Sequence, residues 1–306
     1  MKTNILKNRM TACVSAVFCT LLWGTAFPFI KLGYAALSIG SSDTGAKLLF
    51  AGLRFSLAGA MVLCFLWVSR RRLMLIKKKD IPSAALLGGV QTFAQYLFTY
   101  IGIGYTTGVN TSIITACAAF LTVSVTPLFF RGERLTALKL AGCALGFCGV
   151  LAMNRGGGIS ADTLLGDGLI FMSTVCAACG NILSKKLAKA RDPVALTAWQ
   201  LLFGGALLTV AGLIFGGRLD LFNGHGLPIL LWLAFVSAAA FTVWTALLKH
   251  HPADRISVFN LLVPVFGTVL SGLLLGENAF RPEAGLSLLL IAAGIVLVNL
   301  SRGEKT

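Results

Sequence analysis

The sequence predicts an all-α polytopic membrane protein with ten transmembrane helices arranged as two inverted five-helix repeats. Three observations carry this. Apolar residues make up 57% of the 306 positions and charged residues only 12%, against about 25% charged in a soluble domain. Landmarks of the first half recur in the second at a nearly fixed offset. Basic residues concentrate in alternate loops. So much apolar surface has no place to hide in a water-soluble fold of this length, so the bilayer is the solvent.

A hydrocarbon core of about 30 Å needs about 20 apolar residues per helix. Ten stretches meet that need, at 10–31, 48–69, 81–104, 108–130, 134–153, 164–186, 193–216, 227–248, 254–276 and 280–301. The first follows Lys2, Lys7 and Arg9. It lacks a small-residue cleavage site and is too long for a signal core, so it reads as a retained helix. The second contains Arg54 and ends on a basic loop. The third, seventh, eighth and tenth carry Pro82, Pro193, Pro228 and Pro282 in their first turns, where a missing N–H costs nothing. The first, fourth and ninth contain Pro28, Pro127 and Pro264, which free backbone groups and bend a helix. Each is a static kink or a hinge for gating. The fifth contains Gly142-x-x-x-Gly146, a pattern that allows close helix packing. It runs into Asn154 and Arg155, and Gly156-Gly157-Gly158 then divides the chain into copies spanning 1–155 and 156–306.

The repeat is visible at Gly132-Glu133 and Gly276-Glu277, 144 residues apart, and at Asn154 and Asn299, 145 apart. The segment Arg54-Phe55-Ser56-Leu57-Ala58-Gly59-Ala60 sits opposite Gln200-Leu201-Leu202-Phe203-Gly204-Gly205-Ala206 at an offset of 146. Repeats of this kind are the usual build of a secondary transporter. An odd number of helices per copy forces the two copies to enter the membrane in opposite senses. With a cytoplasmic N-terminus, twenty Lys and Arg fall in inner loops and five in outer loops. This bias predicts a multi-pass inner-membrane protein with both termini cytoplasmic. The net charge of +15 is therefore a topology signal, and no nucleic-acid partner is expected.

Few residues carry chemistry. The eight Cys all lie in apolar stretches and read as packing residues. Cys176-x-x-Cys179 has no second pair and no His nearby, so no metal site is expected. No cofactor motif is present either. Gly102-x-Gly104 follows a membrane helix rather than a strand and does not mark a dinucleotide loop. No Asp or Glu lies mid-span, which disfavours proton coupling through a buried acid. Lys139, beside a basic inner loop, reads as a snorkelling residue. Arg54 lies deeper. Either its stem snorkels or pairs with a helix end, or it faces a central cavity and binds a carboxylate or phosphate. Polar residues that a wet cavity tolerates cluster as Gln91, Gln95 and Tyr96 in the third span, Asn181 in the sixth, and Trp199 and Gln200 in the seventh. Each of these either ties helices together or lines a substrate path.

Trp23-Gly24-Thr25-Ala26-Phe27-Pro28-Phe29-Ile30-Lys31, Arg54 with Gly59, Pro264-Val265-Phe266 and the two Gly-Glu endings resemble the drug/metabolite transporter superfamily. The resemblance is to its EamA-type ten-helix members and covers nearly the whole chain. In the first copy Phe120, not Pro, lies thirteen residues before Glu133, which departs from the pattern. The resemblance implies a cavity lined by helices one to four and six to nine, with helices five and ten at the periphery. It also implies movement of amino acids or related metabolites, often outward. The expected partners are a small-molecule substrate and the lipid bilayer. The competing readings are a sugar-phosphate or nucleotide-sugar exchanger of the same fold, and a membrane enzyme or sensor. An exchanger needs more deep cations than Arg54 alone. An enzyme needs a His or carboxylate cluster at membrane depth, and His225, His250 and His251 fall in predicted loops.

Overall fold

A computed structural model describes residues 5–40, 42–70, 77–103, 105–106, 108–130, 134–153, 161–221, 225–275 and 282–300. The Gly132-Glu133 and Gly276-Glu277 endings, Asn154 and the Gly156–Gly158 break lie outside them. Within the described residues the chain is helical with no strand. The helices are α1 (Arg9–Ala36), α2 (Thr44–Arg70), α3 (Ile81–Leu87), α4 (Gln95–Gly102), α5 (Gly108–Phe129) and α6 (Ala137–Met153). They continue as α7 (Ala161–Ala190), α8 (Pro193–Ile214), α9 (Gly226–His250), α10 (Ala253–Ser257), α11 (Leu262–Leu275) and α12 (Pro282–Leu300).

Six segments are long and apolar enough to cross a membrane: Arg9–Ala36, Thr44–Ser69, Leu164–Ala190, Pro193–Ile214, Gly226–His250 and Ala253–Leu275. Shorter apolar helices cover Cys117–Phe129, Ala137–Gly149 and Leu289–Leu300. Large apolar side chains such as Phe18, Val210, Leu213 and Leu289 point outward, a surface that only lipid or another apolar partner satisfies. The chain is an all-α polytopic membrane protein.

Local chemistry sets the helix ends. At the start of α8, Pro193 follows Asp192, whose Oδ1 accepts from the amides of Val194 at 2.9 Å and Ala195 at 3.1 Å. Those amides have no partner inside the helix, so the cap satisfies them. The same helix ends where Gly216 takes φ +76°, and the Gly217 amide returns to the Gly212 carbonyl at 2.9 Å. A left-handed residue after the last turn is the usual way to close a helix C-terminus. Ser38, at φ 54°, does the same for α1. This helix therefore continues past the predicted end at residue 31 and brings Tyr34 into the bundle.

Two segments depart from a plain α-helix. Between α3 and α4 the residues Gly88–Ala94 form a π-helix. Between α10 and α11 the residues Val258–Leu261 form a 3-10 turn. The second break follows from Pro264, which has no N–H for the Asn260 carbonyl and crowds it, so the turn ahead of it tightens. Pro28 lies inside an uninterrupted α1, and Pro127 two residues before the end of α5. Of the three prolines only Pro264 adjoins a change of helix type.

Glycine sets the closest crossing. The helices α2 and α8 lie antiparallel, and a Cβ added at Gly59 would come within 2.7 Å of the Leu202 side chain. At Gly205 it would meet the Ser56 amide at 2.5 Å, and at Gly212 the Leu49 amide at 2.5 Å. The helices α6 and α12 pack similarly, with Gly142 against the Gly294 carbonyl at 2.7 Å and Gly146 against Leu261. Gly142-x-x-x-Gly146 thus serves close packing. Further pairings join α1 to α9 and α11, α2 to α9, and α7 to α4 and α5.

Candidate functional site

The deepest cation is Arg54, in the middle of α2 and only 2% exposed. Its Nε donates to the Ser237 Oγ of α9 at 2.9 Å, and its guanidinium lies 5.0 Å from the Phe55 ring centroid. The hydroxyls of Tyr34, Tyr96 and Tyr100 lie within its electrostatic reach. Among the described residues no carboxylate pairs with it. Neutral dipoles and ring faces therefore hold a buried full charge that an oppositely charged partner would stabilise far better. Arg54 does not snorkel. Its surroundings are protein on every side.

An aromatic layer continues from this cation. The Tyr96 ring lies 4.5 Å from Phe55 and 6.3 Å from Tyr100. Phe241 of α9 meets Phe55 at 6.3 Å and Trp23 of α1 edge-on at 5.4 Å. Trp23 meets Trp244 at 5.0 Å, and the Trp244 Nε1 donates to Asn181 Oδ1 at 3.1 Å. Arg54, Tyr96 and Asn181 are thus brought together through α1, α2, α4, α7 and α9.

Several polar groups beside this layer lack a protein partner. They include Trp23 Nε1, Gln91 Oε1, Thr92 Oγ1 and both amide atoms of Gln200. A buried amide or indole without a partner costs about 1–3 kcal/mol, and such orphans are commonly met by water or by a ligand. Gln91 and Thr92 lie in the π-helical segment, where Gln91 packs on Gly180 of α7. Gln95 is half-buried; its carbonyl accepts from Thr99, whose hydroxyl also bonds Ser173 of α7 at 2.6 Å. Gln91 and Thr99 therefore both face α7.

Two expectations need correction. Trp199 does not join the Arg54 cluster. It packs on Phe203 at 6.1 Å and beside Ala84, Leu87 and Leu196, at the end of the bundle where α7 turns into α8. It is the seventh residue of α8, and Ala198 and Leu201 beside it pack with Phe55 and Tyr100 instead, so the face of the helix decides its role. Lys139 does not snorkel either. It is 3% exposed, forms an ion pair with Asp254, and donates to the Arg134 carbonyl at 2.6 Å. Asp254, 1% exposed, begins α10 and also accepts the Arg255 amide at 2.7 Å. A carboxylate at a span start had a buried partner 115 residues earlier in the chain.

Removing one member of a buried pair costs more than removing both, because the survivor is left desolvated. We expect Asp254→Asn to lower stability by about 3 kcal/mol and Lys139→Met with Asp254→Leu to lower it less. Thermal unfolding of the purified protein in detergent checks the order. A double variant less stable than Asp254→Asn contradicts it.

Sequence reasoning did not single out Ser237, Tyr34, Phe55 or Phe241. Ser237 stands alone as a hydroxyl in an Ala-rich run, and nothing in the sequence ties that run to Arg54.

Comparison with known proteins places this arrangement. The EamA-like transporter family matches the chain twice, over residues 10–155 and 164–300. A "Probable amino-acid metabolite efflux pump" of Escherichia coli is 31% identical, over 87% of each chain. An "Uncharacterized transporter" of Archaeoglobus fulgidus is 28% identical, over 90% of this chain and 94% of its own. A solved structure described only as that of a protein superposes with TM-score 0.80 over 96% of this chain and 98% of its own, at 19% identity. At that identity it speaks for the fold alone.

Proposed function

The chain belongs to the EamA-like transporter family and so moves small metabolites across a membrane, and from that premise we propose that its solutes carry a carboxylate, amino acids among them. The single observation behind this reading is the buried guanidinium of Arg54, bonded to Ser237 with three tyrosines around it and, among the described residues, no acid. A fork of guanidinium donors matches a carboxylate in two parallel hydrogen bonds. A phosphate would ask for further cations, and two other lysines are engaged elsewhere: Lys185 on the Phe130 ring at 4.6 Å and Lys249 on the Arg191 carbonyl at 3.2 Å. The name of the Escherichia coli relative agrees with an amino-acid solute. The rings of Trp23, Phe55, Tyr96 and Phe241 would contact the apolar part of the solute. Gln91, Asn181 and Gln200 would meet its remaining polar groups.

The path runs between two inverted copies, 1–155 and 156–306, with ten membrane-crossing helices. Helices α1 and α2, the α3–α4 segment, α5 and α6 make the first copy, and α7, α8, α9, the α10–α11 segment and α12 the second. Support comes from the α2–α8 contact. At the offset of 146 seen in the sequence, Gly59 corresponds to Gly205 and Ser56 to Leu202. Gly59 packs on Leu202 while Gly205 packs on Ser56, so the two contacts are mates of one another. The double family match agrees. In this scheme the copies rock about a site near the midplane, with Pro28, Pro127 and Pro264 as candidate hinges.

Both termini lie in the cytoplasm of the inner membrane in this proposal. Single cysteines on a cysteine-free background check it. We expect a membrane-impermeant thiol reagent to modify Arg218→Cys in intact cells and Lys79→Cys only after lysis; both positions are exposed. The opposite pattern inverts the assignment. The solute class is checked by comparing metabolites inside and outside cells with and without the protein. Carboxylated solutes should shift between the two compartments. A shift confined to amines, sugars or phosphates contradicts the proposal.

A further inference from the structure

At the basic end of the bundle a cleft of about 440 Å³ opens between the start of α3 and the α7–α8 turn. Its walls include Lys77, Lys79, Asp80, Arg191, Asp192 and Trp199. The volume lies within the range of about 300–1,000 Å³ typical of ligand sites. It shares no residue with the surroundings of Arg54, and the proposed transport path has no use for it.

The charges in the cleft are unevenly committed. Both carboxylates already serve the protein: Asp80 pairs with Arg191 at 2.8 Å, and Asp192 caps α8. Arg191 is fixed in place, since its other arm donates to Ser83 at 2.9 Å. Lys77 and Lys79 are exposed, and among the described residues no carboxylate pairs with either. The cleft therefore offers an anion two exposed ammonium groups, with the Asp80-paired guanidinium of Arg191 in the same wall. Its remaining walls are apolar, from Ala84, Ala190, Ala195 and Leu196, with the half-buried Trp199 ring beside them. Beside it α3 presents Ile81 and Leu86 outward, 38% and 56% exposed, as a lipid-facing surface does.

We propose that this cleft binds the phosphate headgroup of an anionic phospholipid, with the first carbons of its chains against Leu196 and Trp199. A cation cluster with apolar walls, beside an exposed apolar surface, fits a ligand that is itself an anion joined to hydrocarbon. Basic pockets between helices at the cytoplasmic face bind lipids of this class. A free phosphorylated metabolite shares the anion but has no use for the apolar walls. The inference is independent of the solute proposed above; it takes from that reading only which leaflet supplies the lipid.

The test is lipid binding by the full chain in detergent, read by native mass spectrometry with phosphatidylglycerol and with phosphatidylcholine. The wild type should retain phosphatidylglycerol in preference. Lys77→Gln with Lys79→Gln should weaken it about 25-fold, since each lysine near a headgroup contributes about fivefold. A control, Lys7→Gln with Lys186→Gln, removes equal charge from the same end but outside the cleft, and should change binding little. Equal retention of the two lipids overturns the proposal. So does an unchanged double variant, or a control that loses as much. Displacement of the lipid by excess inorganic phosphate would make the cleft a free-phosphate site and also overturns it. If the double variant accumulates poorly, hydrogen exchange of wild-type residues 77–84 and 190–199 reads the same site. Protection by phosphatidylglycerol supports the proposal, and its absence overturns it.

Discussion

Replacing Gly212 by Leu should abolish accumulation of the protein in the membrane. A Cβ at this position would stand 2.5 Å from the Leu49 amide and 2.7 Å from the Leu49 Cα. Those atoms are backbone, so no rotamer change relieves the clash, and the helices must separate. Separation would also undo the contacts at Gly59 and Gly205, because one antiparallel crossing carries all three. Helix association in lipid has no hydrophobic drive and depends on such close packing, so the buried cluster that Phe55 and Ala58 form with Ala198 and Leu201 would loosen as well. Gly212→Ala is the milder form and should lower thermal stability while leaving some folded protein. Membrane abundance and unfolding temperature check both. A Gly212→Leu protein that accumulates and unfolds like the wild type contradicts the packing described here.

The second large effect is expected at Arg54. Arg54→Gln should reduce transport of carboxylated solutes about 10- to 150-fold, the loss that follows from a charged hydrogen bond of about 1.5–3 kcal/mol. Abundance should fall far less, because Ser237 and the tyrosines are neutral and accept an amide. Arg54→Lys should keep part of the activity, since an ammonium supplies the charge but not the planar fork. Counterflow in proteoliposomes measures each at equal protein. If Arg54→Gln transports normally, the guanidinium is structural and the solute binds elsewhere among Gln91, Asn181 and Gln200.

Much of the fold was legible because bilayer thickness, proline and charge act locally. Pro193 and Pro282 begin their helices, and Gly142 and Gly146 lie at a close crossing. The π-helical turn at Gly88–Ala94 was not legible, because reading a membrane span by hydropathy assumes one helical period throughout. The length of α1 was missed for a related reason. Hydropathy stops at Lys31, whereas the helix runs to Ala36, just before the backbone turns at Ser38. At the candidate site, Arg54 announced itself through the cost of a cation at depth. Its partner Ser237 and the pairing of Lys139 with Asp254 depend on helices far apart in sequence, and no local pattern carries them. Trp199 sits beside Ala198 and Leu201, which do pack with Phe55 and Tyr100, and only the face of α8 it occupies separates it from the aromatic layer.

The central claim is that solutes are held by their carboxylate. Counterflow by the reconstituted wild-type protein, comparing amino acids with the amines left by their decarboxylation, tests it most directly. Each pair shares its side chain and its ammonium and differs only in the group assigned to Arg54. The account predicts exchange of the amino acid and little or none of the amine. Equal exchange of both would contradict it.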